Sequence, residues 1–365
     1  MKRIFTVLTS IALTFALSFS AAFANDDALM KSQNYLKTIT LDSPDAVIAY
    51  EATGMEADYK ADALLNNFKE TDYVTASYGD LAKSIIAISL LGENPKDFNN
   101  TNLVEILENR VQEDGTLTND VNGGCGATIW TLMALETVNS PKVKAVADKL
   151  STMAMENGAY WYEYQGQNAD LDTTGWAMEA LSVAGRSTYD AAISKAYTFV
   201  QSKLNSTDGY FDNWGGNADT QSCVLEGLSV AGYTLDTNAY NYLLSYQNED
   251  GTFNALNYST GQLEPNAYAS VEGARALGVI NNGSFVLKAR QDYTKTTTPV
   301  VTEPETPTKP STTTPAVKPE TTTTEPKKET VKVVNTGDNT NVMAYVVAAI
   351  AAVGVIVLVI KSKKK

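Results

Sequence analysis

The chain has 365 residues, a formal net charge of −14, two cysteines and no histidine. The negative charge argues against nucleic acid and anionic lipid as partners. The lack of histidine excludes a histidine-based catalytic triad and histidine metal ligands, and the sequence predicts no metal and no cofactor.

The first 24 residues have the pattern of a secretory signal peptide. Lys2 and Arg3 precede an apolar run over residues 4–19, and residues 22–24 (Ala-Phe-Ala) form a small-x-small cleavage site. The short run and the cleavage site favour a signal peptide over a transmembrane helix. We therefore expect an exported protein whose mature chain begins near Asn25.

A repeat of 46 or 47 residues runs through the middle of the chain. Residues 179–185 (Glu-Ala-Leu-Ser-Val-Ala-Gly) return almost unchanged at 226–232 and in altered form at 272–278. Related segments end at residues 92 and 139. A period of this size indicates a repeat architecture.

Each repeat is predicted to contain two helices joined by an Asp-Gly or Asn-Gly turn. The first helices are predicted over residues 28–38, 103–111, 143–155, 189–204 and 238–246. The second helices are predicted to end near residues 54, 92, 139, 185, 232 and 278. The globular body then spans residues 25–290.

The rest of the chain is predicted to be a spacer and an anchor. Residues 291–332 consist mostly of Thr, Pro, Glu, Lys and Val, a composition typical of an extended spacer. Residues 342–360 are long and apolar enough to cross a bilayer, and a lysine-rich tail follows them. The basic tail should remain in the cytoplasm, which leaves the body outside the cell.

Residues 333–365 contain a candidate sorting signal. Residues 333–337 read Val-Val-Asn-Thr-Gly, and with the apolar span and basic tail they resemble the C-terminal signal of Gram-positive surface proteins. The resemblance implies sortase cleavage between Thr336 and Gly337 and a covalent link to peptidoglycan. Val333 and Val334 replace the usual Leu-Pro, so a plain membrane anchor is the alternative. Either one places the protein at the cell surface.

The turn sequences resemble those of a known repeat family. Residues 242–253 follow the pattern Tyr-Leu-Leu-x-x-Gln-x-x-Asp-Gly-x-Phe, similar to the Gln-Trp repeat of squalene-hopene cyclases. Residues 28 to 280 as a whole resemble the prenyltransferase and squalene oxidase repeat proteins. This resemblance implies an all-α fold, the α/α toroid of terpenoid cyclases and protein prenyltransferases, with six helical hairpins in an inner and an outer ring. The repeats alone also fit an open solenoid.

The catalytic motifs of the family are incomplete. Class II terpene cyclases carry Asp-x-Asp-Asp, whose middle Asp protonates the substrate, whereas residues 170–173 read Asp-Leu-Asp-Thr. Asp170 and Asp172 remain candidates for acid catalysis, with Asp219 at the same register of the next repeat. Asp172 and Asp219 also suit the capping of the helices that they begin. The zinc site of protein prenyltransferases cannot form without histidine.

The two cysteines are predicted to be structural. Gly124-Cys125-Gly126 resembles the start of the thioester motif of complement-like proteins, but Thr128 stands where that motif needs Gln. Cys125 is therefore expected to be a packed small residue. A disulfide with Cys223 is disfavoured, because the two residues occupy different registers in non-adjacent repeats.

The predicted ring interior carries carboxylates and tryptophans. Carboxylates are costly to bury unpaired between helices, so the helix faces that hold them should point into the lumen. This reasoning gives an interior lined by Trp130, Trp176, Glu179, Glu226 and Glu272. Trp161 and Trp214 lie in aromatic loops before these helices and should crowd one mouth of the ring.

Two functions of different class follow from these features. The first is a non-catalytic surface protein that binds an extracellular small molecule, glycan or peptide in or over the lumen. The alternative is an enzyme, either terpene cyclase-like with Asp172 as the acid or a carbohydrate-active hydrolase. Hydrolysis would need opposed carboxylates such as Asp172 with Asp219 or Glu226.

Overall fold

The computed structural model describes residues 26–56, 62–120, 124–213 and 215–297. The predicted signal peptide, the sorting site at Thr336 and Gly337, the apolar span at 342–360 and Trp214 lie outside the described residues. No helix within the described ranges combines the length and the apolar character needed to cross a bilayer.

The described chain is mostly helical, as predicted. The helices are α1 (Asp26–Leu36), α2 (Pro44–Ala52), α3 (Asp62–Glu70), α4 (Tyr78–Leu90), α5 (Leu103–Asn109), α6 (Gly126–Thr137), α7 (Val143–Ser151), α8 (Leu171–Gly185), α9 (Asp190–Ser202), α10 (Ala218–Val230), α11 (Thr237–Leu244), α12 (Ala267–Asn282) and α13 (Phe285–Thr297). Two antiparallel hairpins, which the sequence analysis treats as loops, pair β1 (Tyr160–Glu163) with β2 (Gln167–Asp170) and β3 (Phe253–Asn257) with β4 (Gln262–Asn266).

Six helices, which we call the core helices, hold most of the buried residues: α2, α4, α6, α8, α10 and α12. In α6, every residue from Thr128 to Thr137 is buried, as expected for a helix surrounded by others. Each core helix packs against the next core helix along the chain. The last of them, α12, packs against α2, so the series of contacts returns to its first member.

Shorter helices, which we call the flanking helices, pack against this series. Helices α5, α7, α9 and α11 each contact the core helix that precedes them, and α1 instead contacts α12. The side chain of Gln247, beyond α11, also reaches α1, where its Nε2 donates to the carbonyl oxygen of Ala28 at 2.9 Å. The last repeat is therefore joined to the first helix of the body.

The glycines of the repeat turns mark where successive repeats meet. Gly115, Gly158, Gly209 and Gly251 have φ angles between 82° and 90°. A Cβ atom at any of them would lie 2.0–2.4 Å from a backbone carbonyl oxygen of a neighbouring flanking helix. Glycine is required at these turns both for the left-handed backbone and for the close approach.

Most predicted ends of the core helices are confirmed within two residues. The helices end at Ala52, Leu90, Thr137, Gly185 and Val230. The predicted end near Gly278 is wrong, because α12 continues to Asn282. Gly278 instead lies against α2, where a Cβ atom would be 2.5 Å from the carbonyl carbon of Ala52. Close packing of two helices, rather than termination, accounts for this glycine.

Helix α13 is not predicted from the sequence. It extends to Thr297, beyond the predicted end of the globular body at residue 290. Lys288 pairs with Glu51 near the end of α2, and Arg290 pairs with Glu136 near the end of α6 at 2.7 Å. Cations are favoured near helix C-termini, where the helix dipole is negative. The helix therefore lies across the C-terminal ends of core helices, and it contacts α2, α4 and α6.

Candidate functional site

Three neighbouring core helices present matching faces to one another. The residues follow each other at intervals of four and three, which places them on one side of a helix. They are Asp172, Trp176 and Glu179 on α8, then Asp219, Cys223 and Glu226 on α10, then Tyr268, Glu272 and Arg275 on α12. We call these nine residues the acidic interior. Between α10 and α12, Arg275 contacts Glu226, and Cys223 Sγ lies 3.9 Å from Glu272 Oε2.

The deepest part of the acidic interior is a buried ion pair. Arg275 Nε donates to both carboxylate oxygens of Glu226, at 3.1 and 2.9 Å, and both residues are 1% exposed. Burial opposes the charge of the guanidinium, but Glu226 and Glu272 hold the pKa of Arg275 well above its usual value. Arg275 therefore stays charged.

Glu179 lies next to this pair and is fully buried. Its Oε1 accepts a hydrogen bond from Ser284 Oγ at 3.0 Å. Burial raises the pKa of Glu179 well above its usual value, and the neighbouring carboxylate of Glu226 raises it further. The buried surroundings therefore favour the protonated form of Glu179, which lies next to the carboxyl group of Glu226 that Arg275 contacts.

The N-terminal ends of α8 and α10 correct the expectation that Asp172 and Asp219 are caps. Asp170 is the cap of α8, since its Oδ2 accepts from the amide of Thr173 at 2.8 Å. Asn217 is the cap of α10, with a side chain that accepts from the amide of Thr220. Both caps stand two residues before the predicted ones. Asp172 and Asp219 lie in the first turn of these helices instead, and their carboxyl groups do not cap the helix ends.

Asn213 ties the ends of these helices together, and the sequence analysis does not single it out. Its Nδ2 donates to Asp170 Oδ1 at 3.0 Å and to Thr220 Oγ1 at 3.2 Å, and it lies 3.4 Å from Asp172 Oδ1. The residue precedes Trp214 in the aromatic loop before α10. Its position in that loop is the only sequence signal that could have indicated it.

Burial raises the pKa of several interior carboxyl groups. It raises the pKa of Asp219 to about 6. It raises that of Glu272 to about 7, although Arg275 lowers it. It also raises the pKa of Asp172 well above its usual value, and the nearby carboxyl groups of Asp170, Glu272 and Asp219 add to the effect. These carboxyl groups lie close together with little compensating positive charge.

The thermal midpoint of the free protein is expected to fall as the pH rises from about 5 to about 8. Asp219 and Glu272 have folded-state pKa values above their ordinary values, so the folded state favours their protonated forms. Their stabilising contribution is complete below the unfolded pKa values and is lost as the pH rises through the folded ones. Thermal melts across this range should show a shallower fall for Asp219→Asn.

Asp212→Asn is the matched control for that melt series. Asp212 is exposed, and its Oδ1 accepts from the amide of Gly215, a contact that asparagine can keep. This variant should show the same pH dependence as the unchanged protein. A midpoint that is constant or that rises with pH would contradict the assignment of raised pKa values.

The tryptophans predicted for the interior contact one another. Trp130 packs edge-on against Trp176 with ring centroids 5.7 Å apart, and it stacks on Phe285 at 6.3 Å. Lys83 Nζ lies 4.6 Å from the Trp130 ring centroid and pairs with Asp45 at 2.8 Å. Lys83 is therefore already neutralised by an aspartate of α2.

The two hairpins frame the N-terminal ends of α8 and α12. Hairpin β1–β2 leads directly into α8, and β3–β4 leads directly into α12. Trp161 on β1 is half-buried, and its Nε1 donates to the carbonyl oxygen of Met153 at 3.0 Å. On β3 and β4, Leu256 and Leu263 are paired in register and exposed. The end of the molecule near Asp172 is therefore rich in aromatic and aliphatic side chains.

Four polar atoms of the acidic interior lack a hydrogen-bond partner among the residues that the structure describes. They are Trp176 Nε1, Glu179 Oε2, Asp219 Oδ1 and Arg275 Nη2. Folded proteins leave few buried polar atoms unsatisfied, so a concentration of them on facing helices calls for a partner such as ordered water or a ligand. Trp176 Nε1 and Arg275 Nη2 are donors, and Asp219 Oδ1 is an acceptor, whereas the Glu179 carboxyl group lies close enough to that of Glu226 to share a proton with it.

Neither cysteine is in a disulfide, and both are buried. Burial raises the pKa of Cys125 to about 11, which makes its thiol unreactive at neutral pH. The predicted packing role of Cys125 is confirmed. In the described ranges, no group of three or more Cys, Asp or Glu side chains is arranged to hold a metal ion.

Comparison with known proteins gives a likeness of fold. No family model matches the chain, and no curated protein matches it. The chain is similar to the crystal structure of a protein from Actinoplanes, with a TM-score of 0.52 and 13% sequence identity. The match covers 71% of this chain and 99% of that one. At this identity the likeness concerns the fold alone.

Proposed function

We propose that the body is an α/α toroid of the prenyltransferase and squalene oxidase repeat type, with the core helices as the inner ring and the flanking helices as the outer ring. The cyclic order of core-helix contacts supports closure. The contact of α1 with α12 and the hydrogen bond from Gln247 to Ala28 support closure of the outer ring. Helix α13 then closes the end of the ring formed by the C-termini of the core helices.

The toroid functions as a non-catalytic protein that binds an extracellular small molecule, glycan or peptide at the mouth of the ring. The observation that carries this proposal is the set of unpartnered polar atoms in the acidic interior, two of which belong to the half-buried residues Trp176 and Asp219. The predicted signal peptide and anchor support display at the cell surface, with a link to the membrane or to peptidoglycan.

The raised pKa of Asp172 argues against the two enzymatic alternatives. Protonation of an alkene needs a strong acid, but burial and three neighbouring carboxyl groups raise the pKa of Asp172. Glycoside hydrolysis needs one protonated and one ionised carboxyl group. Burial raises the pKa of both Asp172 and Asp219, so the environment does not separate an acid from a base.

Native mass spectrometry of the full chain, purified after exposure to its culture medium, tests this function. We expect a non-covalent adduct whose ligand is released with unchanged mass, and Trp176→Leu should reduce the adduct. A ligand that is converted during incubation, with conversion lost in Asp172→Asn but not in Asp212→Asn, would show that the protein is an enzyme. The mass of the mature C-terminus would distinguish cleavage after Thr336 from a plain membrane anchor.

A further inference from the structure

Acidic side chains outnumber basic ones in the acidic interior. Helices α8, α10 and α12 contribute five carboxyl groups and one cation, Arg275, to this set of residues. Arg275 is engaged with Glu226 at 2.9 Å and lies 3.8 Å from Glu272. The lysine nearest to the interior tryptophans, Lys83, is engaged with Asp45. Among the ion pairs of the described residues, none reaches Asp172, Glu179 or Asp219.

We propose that the acidic interior binds a primary ammonium group carried on an apolar or aromatic body. Asp172 and Asp219 receive the ammonium, and Trp176 and Tyr268 contact the body that carries it. This inference rests on the proposed binding function, and it names the chemical class of the ligand.

An unpartnered acceptor favours an ammonium group with hydrogens to donate. Asp219 Oδ1 is buried and accepts no hydrogen bond from the described residues. A primary ammonium offers three donors on one compact cation. The faces of tryptophan and tyrosine rings also attract cations, by about 0.5–2 kcal/mol depending on desolvation.

The same surroundings disfavour an anionic ligand. Arg275 Nη2 has no hydrogen-bond partner, and by itself it would suit a carboxylate or a phosphate. However, it sits between Glu226 and Glu272, and Asp172 and Asp219 lie on the path from the mouth. An anion that approached Arg275 would be repelled by those carboxyl groups that are ionised, and in a poorly solvated interior this repulsion is strong.

Exposure of the residues shows the direction of entry. Asp172, Trp176 and Asp219 are half-buried, and Tyr268 keeps 54% of its surface exposed. These residues occupy the first two turns of their helices, beside the hairpins. Glu179, Glu226 and Arg275 are one or two turns further along and buried. A ligand therefore enters between the hairpins, and the Arg275–Glu226 pair forms the floor of its site.

Three molecules with one skeleton and different charges test the ligand class. Phenethylamine is a cation, 2-phenylethanol is neutral, and phenylacetate is an anion. In thermal melts of the full chain at neutral pH, phenethylamine should raise the midpoint in a saturable way, and the other two should not. Calorimetric titration should show that its affinity rises with pH by up to about tenfold per pH unit between about pH 5.5 and 8.

The pH effect has a definite sign because the interior carboxyl groups must ionise to receive a cation. Asp219 faces Asp172 on α8, Glu272 on α12 and Tyr246 beyond α11, and none of these groups carries a positive charge. Glu272 faces Arg275, Tyr268, Asp219, Asp172 and Cys223, and Lys83 is a second cation that favours its charged form. Binding of phenethylamine should therefore release protons, which titrations in two buffers of different ionisation enthalpy will measure.

Charge-neutral variants locate the receiving carboxyl groups. Asp219→Asn should weaken phenethylamine binding by at least about tenfold, the size expected for loss of a hydrogen bond to a charged group. Its folding should not suffer, since the folded state already favours a protonated Asp219. Asp212→Asn removes an exposed charge near the same mouth and should change the affinity by less than about twofold.

The outcomes separate this inference from the proposed function. If 2-phenylethanol or phenylacetate stabilises the chain as much as phenethylamine does, the ligand class is wrong. The same conclusion follows if Asp219→Asn and Asp212→Asn behave alike. In either case, the binding function would still stand if native mass spectra show an adduct and Trp176→Leu reduces it. The absence of any such adduct would overturn the binding function itself.

Discussion

Replacement of Arg275 by methionine is expected to lower the free energy of unfolding by about 3–5 kcal/mol at pH 7. Arg275 and Glu226 are each 1% exposed, and the guanidinium is the only cation within salt-bridge distance of Glu226 among the described residues. Methionine fills much of the same volume but leaves Glu226 as an unpaired buried charge. Chemical denaturation of the full chain will measure the loss.

Two further variants identify the cause of that loss. Lys144→Met breaks the pair with Asp148, whose side chains are 79% and 49% exposed, and it should cost less than about 1 kcal/mol. The double variant Arg275→Met with Glu226→Gln removes both charges and should recover part of the loss. Equal costs for Arg275→Met and Lys144→Met would contradict the assignment of a buried ion pair.

Replacement of Gly251 by alanine is expected to destabilise the body by about 2–5 kcal/mol. Gly251 has a φ of +85°, and a Cβ atom there would lie 2.1 Å from the carbonyl oxygen of Lys31. The clash falls where the last repeat docks on α1. The variant should therefore weaken the contact that joins the two ends of the repeat series, and thermal melts will measure the effect.

Gly261 provides a matched control at a turn with open surroundings. Its φ is +70°, but a Cβ atom there would meet nothing within 4 Å. Gly261→Ala should thus show only the backbone strain, about 1–2 kcal/mol. If both variants cost the same, the contact between Gly251 and α1 contributes nothing to stability, and the closure of the repeat series would lose its support.

The helical repeat could be predicted because its signals are local. Apolar spacing, Asp-Gly turns and glycine stops gave the core helices and most of their ends. Helix α13 was missed because its buried residues, Phe285, Val286, Ala289 and Tyr293, have a surface to cover only once the ends of α2, α4 and α6 are assembled. Its sequence also begins to resemble the spacer near Thr294.

The arrangement of the acidic interior could be predicted only in part. The repeat places Glu179, Glu226 and Glu272 at one level. The contacts instead pair Glu226 with Arg275 and Cys223 with Glu272, in each case across 49 residues rather than the 46 of the repeat. This shift, between α10 and α12, brings Arg275 into the interior. The β3–β4 hairpin leads directly into α12, and no local sequence signal reports this change of register.

Hydrogen–deuterium exchange of the full chain, with and without saturating phenethylamine, tests the central claim most directly. A ligand held in the acidic interior should slow exchange at the N-terminal turns of α8, α10 and α12 and in the two hairpins, and Asp219→Asn should reduce the effect at the same ligand concentration. The flanking helices α5 and α7 should be unchanged. Protection confined to the flanking helices, or identical exchange in the two samples, would contradict a binding site inside the ring.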